Sequence, residues 1–304
     1  MMTMKCPNCS ATDLASDTRD LPFEHGSVKT WIRSVTGDFC ITCGEVVLDP
    51  VESARVSDEI LKLKNRIDSS LARQRLRTTV DLRTYSFEEF VAFLFDHEAP
   101  VGEMSFSALA ERGETSKWNP WYRHIDTLFD PQQLCSYYLQ LFRNSRFLLN
   151  RFSRDQLEQG FWLLMGRSPD CSAGCIIWNL DLPFANRAEC VAAMFDLFND
   201  LFFDEDLENA VSMWWDSFCY AWHCGNRKRS NGGEDLQMQD VMFETLVKIL
   251  SLDSKICQGA ALHGLSHLHH PETNTAIQSY LDLNPDLDVE WRNIALGASR
   301  FKLM

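Results

Sequence analysis

No run of eighteen or more uncharged apolar residues occurs in the 304-residue chain, so no membrane-spanning helix is expected. The N-terminus also lacks the basic-then-apolar pattern of a secretory leader, and the expectation is a cytoplasmic protein. Missing too are Gly-x-Gly-x-x-Gly, Gly-x-x-x-x-Gly-Lys-Ser/Thr, Gly-x-Ser-x-Gly and His-Glu-x-x-His. Their absence counts against nucleotide-binding, hydrolase and metalloprotease functions, within the limit that active sites need not carry short signatures. Positive charge is scarce in one part only. Residues 1–83 hold 12 Lys+Arg and 12 Asp+Glu, so the whole net charge of -14 falls on residues 84–304. Such a region is poorly suited to general nucleic-acid binding, because affinity for phosphates comes from counterions displaced by Lys and Arg. It is better matched to a basic protein.

Apolar material, by contrast, is plentiful. Hydrophobic residues make up 45% of the chain and aromatics 12%, with 20 Phe and 9 Trp. That supplies a large core and excludes disorder as a global description, and the length suggests two or three domains. There are eleven cysteines. An odd count in a long chain argues against a disulfide scaffold, and Cys135, Cys171, Cys175, Cys190, Cys219, Cys224 and Cys257 are read as free thiols in a reducing compartment.

The other four cysteines form two knuckles, Cys6-Pro7-Asn8-Cys9 and Cys40-Ile41-Thr42-Cys43. Two i, i+3 pairs on tight turns are what a tetrahedral Zn²⁺ needs, with four sulfurs about 2.3 Å from the ion and no open position for substrate. One structural zinc ion on Cys6, Cys9, Cys40 and Cys43 is therefore expected. Between the knuckles, Arg19–Pro22 and Val28–Val35 alternate around His25-Gly26-Ser27, which predicts a hairpin. Gly44–Leu48 then reads as a short strand. Asp49-Pro50 reads as an N-cap with Pro at N1, and Val51, Ala54, Ile60, Leu61, Leu63, Ile67 and Leu71 predict a helix to about Arg77.

Met4-Lys5-Cys6-Pro7-Asn8-Cys9, Thr18-Arg19-Asp20-Leu21-Pro22-Phe23 and Thr36-Gly37-Asp38-Phe39-Cys40-Ile41-Thr42-Cys43-Gly44-Glu45 closely resemble the N-terminal zinc domain of the MqsA-type antitoxins, also called the YgiT-type zinc finger. Pro50-Val51-Glu52-Ser53 resembles that family as well, and the resemblance covers about residues 4–66. It implies a structural zinc, contact of the N-terminal domain with a ribonuclease toxin, and a C-terminal helix-turn-helix on operator DNA. After the long helix the chain departs from the pattern. No Ser/Thr-Gln-x-x-Ala-Ala start of a helix-turn-helix follows.

From Tyr85 onward the pattern is helical: Phe87–Phe95, Leu134–Phe142, then residues 155–166, 186–203 and 207–222, with Ile176-Ile177-Trp178 as the one weak strand candidate. Leu236–Leu250, Ile256–Leu268, Thr273–Leu283 and Val289–Phe301 predict four final helices, whose Leu/Ala-rich faces are similar to HEAT-type repeats. The expected fold is mainly α. A zinc-ribbon-like β-hairpin module spans 1–50, a connecting helix and basic linker 51–83, and an all-α domain 84–304, helical-repeat-like from about 235.

Several other constellations invite chemistry. His263 and His267, in the run from His263 to His270, are spaced i, i+4, which lets two imidazoles share a metal. No Glu base lies between them and no acidic third ligand is evident nearby. The favoured reading is a helix C-terminus stopped by Pro271; a second or regulatory metal site and a catalytic site are the alternatives. Cys171 with Cys175, and Cys219 with Cys224, lack the two-residue gap of a knuckle and read as core thiols. Adjacent His223 and Cys224 point in different directions on a helix, against a nucleophile pair. Asp196, Asp200 and Asp204, interleaved with Phe195, Phe198, Phe202 and Phe203, read as a solvated face over an aromatic core, or else as an acidic dock anchored by Phe. No Asp-x-Asp-x-Asp-Gly loop accompanies them. The tract Lys62, Lys64, Arg66, Arg73, Arg75, Arg77 and Arg83 reads as an exposed helix face and linker rather than a nucleic-acid surface, and Gly225–Gly233 as a surface loop.

Together these features predict a zinc-binding, non-catalytic, toxin-neutralising protein, antitoxin-like or immunity-like, with a basic toxin as protein partner. The alternatives are a DNA-associated regulator using the zinc module and basic helix, and an enzyme with a site near His263 and His267.

Overall fold

The structure, a computed structural model, describes residues 5–25, 28–75, 78–100, 102–114, 117–167, 169–203 and 207–302. The chain divides into two compact units, Met1–Arg77 and Thr78–Met304.

The first unit is built on a long antiparallel hairpin of β1 (Leu14–His25) and β2 (Val28–Cys40), paired from Leu14 opposite Cys40 to His25 opposite Val28. It reaches well beyond the alternating segments that predict it; Gly26 and Ser27 of the expected turn lie outside the described residues. The register shifts between Arg19 and Leu21. There Ser34 takes a left-handed conformation (φ +53°) and donates its N–H to Asp20 at 2.8 Å, a bulge that raises the local twist. The expected strand at Gly44–Leu48 is confined to β3 (Val46–Val47), paired with β2 at Asp38 and Phe39. Gly37 permits that pairing, since a Cβ there would lie 2.8 Å from the Val47 carbonyl.

Helix α1 (Pro50–Arg75) starts where Asp49 accepts the Glu52 N–H at 2.8 Å. Val56, Ile60, Leu63 and Ile67 recur at helical spacing, and Val56, Ile60 and Leu63 pack with Ile32 and Val35 of β2 and with Leu21, Phe23 and Leu48. Two hydrogen bonds pin the start of α1 to the hairpin, Thr36 N–H to Glu52 at 2.9 Å and Arg55 to the Ser34 carbonyl at 3.2 Å, and Arg55 also bonds Glu52 within the helix at 2.6 Å. Farther along, His25 meets Asp68 at 2.7 Å.

The second unit is helical, apart from a two-stranded parallel pair of β4 (Thr78–Asp81) and β5 (Ile125–Leu128). Four-residue strands without a clean period leave no legible signal: β4 falls in the stretch expected as linker, and β5 in the stretch expected to be all-α. The helices are α2 (Phe87–Phe95), α3 (Phe106–Glu111), α4 (Pro131–Arg143), α5 (Arg154–Met165), α6 (Ala173–Ile176), α7 (Phe184–Ala192), α8 (Met194–Leu197), α9 (Glu208–His223), α10 (Gly233–Leu250), α11 (Lys255–Leu268), α12 (Thr273–Leu283) and α13 (Val289–Ser299). Side chains cap many of them: Ser86 with Glu89 and Ser153 with Gln156 form capping boxes, and Asp130, Ser254 and Asp288 cap α4, α11 and α13, as such residues do before helices. Ile176-Ile177-Trp178 is not a strand: Ser172 caps a helical turn there and buries both isoleucines. The segment expected as one helix over 186–203 breaks into α7 and α8 and then widens into a π-helical turn at Phe198–Phe202.

The core of this unit is aromatic. Trp214 and Trp215 of α9 are fully buried, and Phe142, Phe161 and Phe202 stand edge-on to Trp214 with ring centroids 5.8–6.0 Å apart, the separation such pairs prefer. Arg187 is 1% exposed and is held by Glu234 at 2.7 Å and by the Leu182 carbonyl at 3.1 Å. Helix α11 packs on α9 and α10, and Gly264 sits at the crossing. A Cβ on Gly264 would lie 2.5 Å from the Trp215 Cβ and 2.7 Å from Leu246, so only glycine allows this approach. Among the described residues no helix is long and apolar enough to cross a membrane.

Candidate metal centres

Among the described residues two groups bring three or more ligand atoms within 4.8 Å of one another: Cys6, Cys9, Cys40 and Cys43, and Asp216, His263 and His267.

The first group forms at the open end of the hairpin. Pairing Leu14 with Cys40 folds the intervening residues away and brings the two knuckles together. The knuckles repeat one backbone pattern. Cys6 N–H bonds the Ala11 carbonyl and Cys40 N–H the Glu45 carbonyl, both at 2.8 Å; Ser10 N–H bonds the Cys6 carbonyl and Gly44 N–H the Cys40 carbonyl, both at 2.9 Å. Ser10 and Gly44, each following the second cysteine of its knuckle, are both left-handed, at φ +62° and +79°. The sulfurs of Cys6 and Cys43 are 3.6 Å apart and those of Cys9 and Cys40 3.5 Å, close to the roughly 3.8 Å edge of a tetrahedral Zn–S₄ centre with 2.3 Å bonds.

The electrostatics point the same way. The N–H groups of Cys43 and Thr42 draw Cys40 down to about 6. The Ala11 N–H lowers Cys9, but the Cys43, Cys40 and Cys6 sulfurs around it push it up to about 12. Sulfurs this close can all be thiolates only with a cation among them, and the four cysteines fit one structural zinc ion.

The second group sits at the crossing of α9 and α11. His263 and His267 lie on one face of α11, either side of Gly264 in its contact with Trp215, and Asp216 follows Trp215 on α9. His267 Nε2 is 2.9 Å from His263 Nε2 and 3.0 Å from Asp216 Oδ1. His263 Nδ1 lies 3.1 Å from the Ser212 carbonyl. His267 is 3% exposed, and its Nδ1 has no hydrogen-bond partner. Burial, with His263 alongside, pushes His267 down to about 4, so the imidazole is neutral at pH 7. The acidic partner that the sequence did not disclose is thus Asp216, 47 residues from His263.

The rest of the histidine run is structural. His269 ends α11 in a left-handed conformation and stacks on Phe301 at 4.5 Å. His270 accepts the Glu272 N–H at Nδ1 (3.1 Å) and donates to Asp240 (2.9 Å).

The remaining candidates do not assemble sites among the described residues. Cys171 is buried, which pushes its thiol up to about 12, while Cys175 donates to the Arg167 carbonyl. Cys219 is buried with its thiol pushed up, Cys224 donates to the Tyr220 carbonyl at 2.8 Å, and His223 packs edge-on against His267. None of the eleven cysteines, all described, is in a disulfide. Asp196 and Asp200 are half-buried, and burial together with Asp200 raises Asp196; Asp204 lies outside the described residues. Phe198 and Phe202 are fully buried, which removes them as anchors for a partner. Lys62 is paired with Asp58 and Arg83 with Asp81; the side chains of Arg73, Arg75 and Arg77 lie outside the described residues.

Residues 4–91 match the family described as the antitoxin component of bacterial toxin-antitoxin systems, MqsA. Over 50 residues the chain is 32% identical to Antitoxin MqsA of Escherichia coli (strain K12), a match covering 16% of this chain and 38% of that protein. The chain thus aligns with well under two thirds of that relative's length. No solved structure matches the chain. The N-terminal zinc domain is MqsA-like, and the family match runs past α1 and β4 into α2.

Proposed function

We propose that the chain is a cytoplasmic, non-catalytic antitoxin or immunity protein that neutralises a protein toxin by direct contact, with one zinc ion on Cys6, Cys9, Cys40 and Cys43 shaping the first unit. The observation that carries this reading is a Cys₄ group, with sulfur spacings fit for zinc, inside the stretch that matches the antitoxin family. A closed four-sulfur site is structural, so the zinc holds a surface in shape rather than performing chemistry.

Charge supports a basic partner. All of the net -14 falls on residues 84–304, and such a field speeds association with a cationic protein. Because Phe198 and Phe202 belong to the core, half-buried Asp196 and Asp200 act through charge, and the association rate falls steeply with salt. The pairing of Lys62 with Asp58 and of Arg83 with Asp81 weighs against the DNA-regulator alternative.

The test is co-expression with the product of the neighbouring reading frame. The expected result is growth arrest by that product, relief by this chain in a stoichiometric complex, and loss of relief in Cys6→Ser. Absence of both relief and complex overturns the reading, and a gel shift of the chain's own upstream DNA by the purified protein replaces it with the regulator.

A further inference from the structure

We infer that Asp216, His263 and His267 form a second metal site, which takes a divalent first-row transition ion through one carboxylate and two imidazoles. The site owes nothing to the zinc domain or to the antitoxin reading.

The geometry is that of ligands already gathered. Two donor atoms bound at right angles to one ion, each about 2.1 Å from it, stand about 3.0 Å apart. His267 Nε2 stands 2.9 Å from His263 Nε2 and 3.0 Å from Asp216 Oδ1. Helical spacing i, i+4 aligns the two imidazoles, and the glycine-only contact at Gly264 brings the carboxylate of α9 up to them.

Proton accounting makes the cluster incomplete without a cation. Ser212 offers only a carbonyl to His263 Nδ1 (3.1 Å), so the His263 proton resides on Nδ1 and its Nε2 presents a lone pair. This is the outer-shell arrangement that orients metal-bound histidines. His263 Nε2 and Asp216 Oδ1 both lie within hydrogen-bond distance of the same atom, His267 Nε2, which carries at most one proton for the two of them. His267 Nδ1, on the far side of the ring from the cluster, is buried without a partner in either case. A divalent cation uses all three inward lone pairs at once.

Ligand type narrows the ion. Mg²⁺ and Ca²⁺ demand oxygen, whereas two imidazoles with one carboxylate suit Zn²⁺, Co²⁺, Ni²⁺ or Fe²⁺. Three protein ligands leave positions open, unlike the closed Cys₄ set. Asp216 and His263 are half-buried, and Asp216 also lines a cavity of about 350 Å³ with Met213, Ser217, Tyr220 and Cys224, which gives an entry path and room for water.

The experiment is metal analysis of the full chain purified with its zinc, exposed to excess Co²⁺ and then freed of loose ion. Two metal equivalents per chain are expected. The added Co²⁺ should show a weak visible band without the intense thiolate charge-transfer absorption, because its donors are nitrogen and oxygen. His263→Ala and Asp216→Asn, both at half-exposed positions, should each retain the zinc and weaken Co²⁺ binding at least a hundredfold, with the far-ultraviolet spectrum unchanged. His267→Ala serves as a third variant, its fold checked by the same spectrum. A single equivalent in the wild-type protein under excess Co²⁺ overturns the inference, and so does a second equivalent that survives in His263→Ala and Asp216→Asn.

Discussion

The Cys₄ group of the first unit and the Asp–His–His group of the second are assembled by opposite routes. All four cysteines sit on two copies of one backbone turn at the end of one hairpin, and the unit's own buried cluster is small: Ile32, Val35, Val56 and Leu63. A core of that size leaves a small domain marginal, so zinc is part of what folds it. The Asp–His–His donors come from helices that a large aromatic core already fixes, around Trp214, Trp215 and Phe218. Its ion would be a passenger on a finished fold. The same element class thus plays two parts, according to how much apolar surface surrounds it.

The largest test of this contrast is removal of the first metal. Binding of structural zinc is worth on the order of 10–16 kcal/mol, comparable to or greater than the 5–15 kcal/mol net stability of a whole domain. Cys6→Ser or Cys40→Ser should therefore unfold β1 and β2, with loss of amide protection there. The helices of the second unit should keep theirs. Protection of the hairpin retained in Cys6→Ser would break the comparison.

The next test is at the crossing that makes the second group. Gly264→Ala places a methyl 2.5 Å from the Trp215 Cβ, next to backbone that cannot swing aside, and overpacking of this kind costs about 1–3 kcal/mol. Gly160→Ala is the control, since its methyl would meet the Phe95 ring at 2.3 Å and the Leu94 carbonyl at 2.9 Å. Both variants should lower the melting temperature of the second unit, but only Gly264→Ala should also abolish Co²⁺ binding at Asp216, His263 and His267. Equal Co²⁺ binding by the two would detach the ligands from the crossing.

Why one group is legible in the sequence and the other is not follows from the same contrast. Cys-x-x-Cys is a local rule, because the turn that aims two sulfurs is written in four residues, and a hairpin closes the rest. His263 and His267 were also visible as a pair. Their third partner was not, because Asp216 meets them only through the packing of α11 on α9, and no local pattern on α9 says which helix it faces. Glycine between two histidines marks a close approach without naming the neighbour. Long amphipathic and aromatic segments such as α1, α4 and α9 were readable for the same local reason as the knuckles. The parallel pair of β4 and β5 was not: four residues pairing across more than forty leave too short a period. Phe198 and Phe202 could be read as core or as anchors, and only the ring contacts of Phe198 with Trp215 and of Phe202 with Phe161 and Trp214 decide for the core.

A smaller effect separates the two knuckles. Ser10 and Gly44 hold the same place and both have positive φ, but a side chain in that conformation costs roughly 1–2 kcal/mol, offset by the greater freedom glycine has when unfolded. Ser10→Gly should stabilise the zinc-bound unit by about 0.5–1 kcal/mol. Gly44→Ala should destabilise it by a similar amount, and through the backbone alone, since a Cβ there meets nothing within 4 Å. Denaturant midpoints of the zinc-bound protein measure both. Changes of the same sign would show that the two knuckles, despite matching hydrogen bonds, are not equivalent.

The smallest effect is a pH dependence confined to the first unit. Arg55, and then the Thr36 N–H, hold the Glu52 carboxyl at about 2, down from 4.5. The Glu52 side chain is 15% exposed and bridges the start of α1 to β2. A carboxylate whose pKa is depressed on folding adds stability that is fully present above its unfolded value and fades as pH falls through the folded one. Glu52→Gln keeps an acceptor for Thr36 but not the charge that Arg55 meets. The wild-type protein should therefore melt above Glu52→Gln at pH 6, with the gap constant down to about 4.5 and closing toward 2. Acid also protonates the zinc thiolates, but that loss falls on both proteins alike, so the difference between their melting temperatures isolates Glu52. A gap that widens on acidification would mean the carboxylate is stabilised less in the folded hairpin than in water, and that α1 is held to β2 by its apolar face alone.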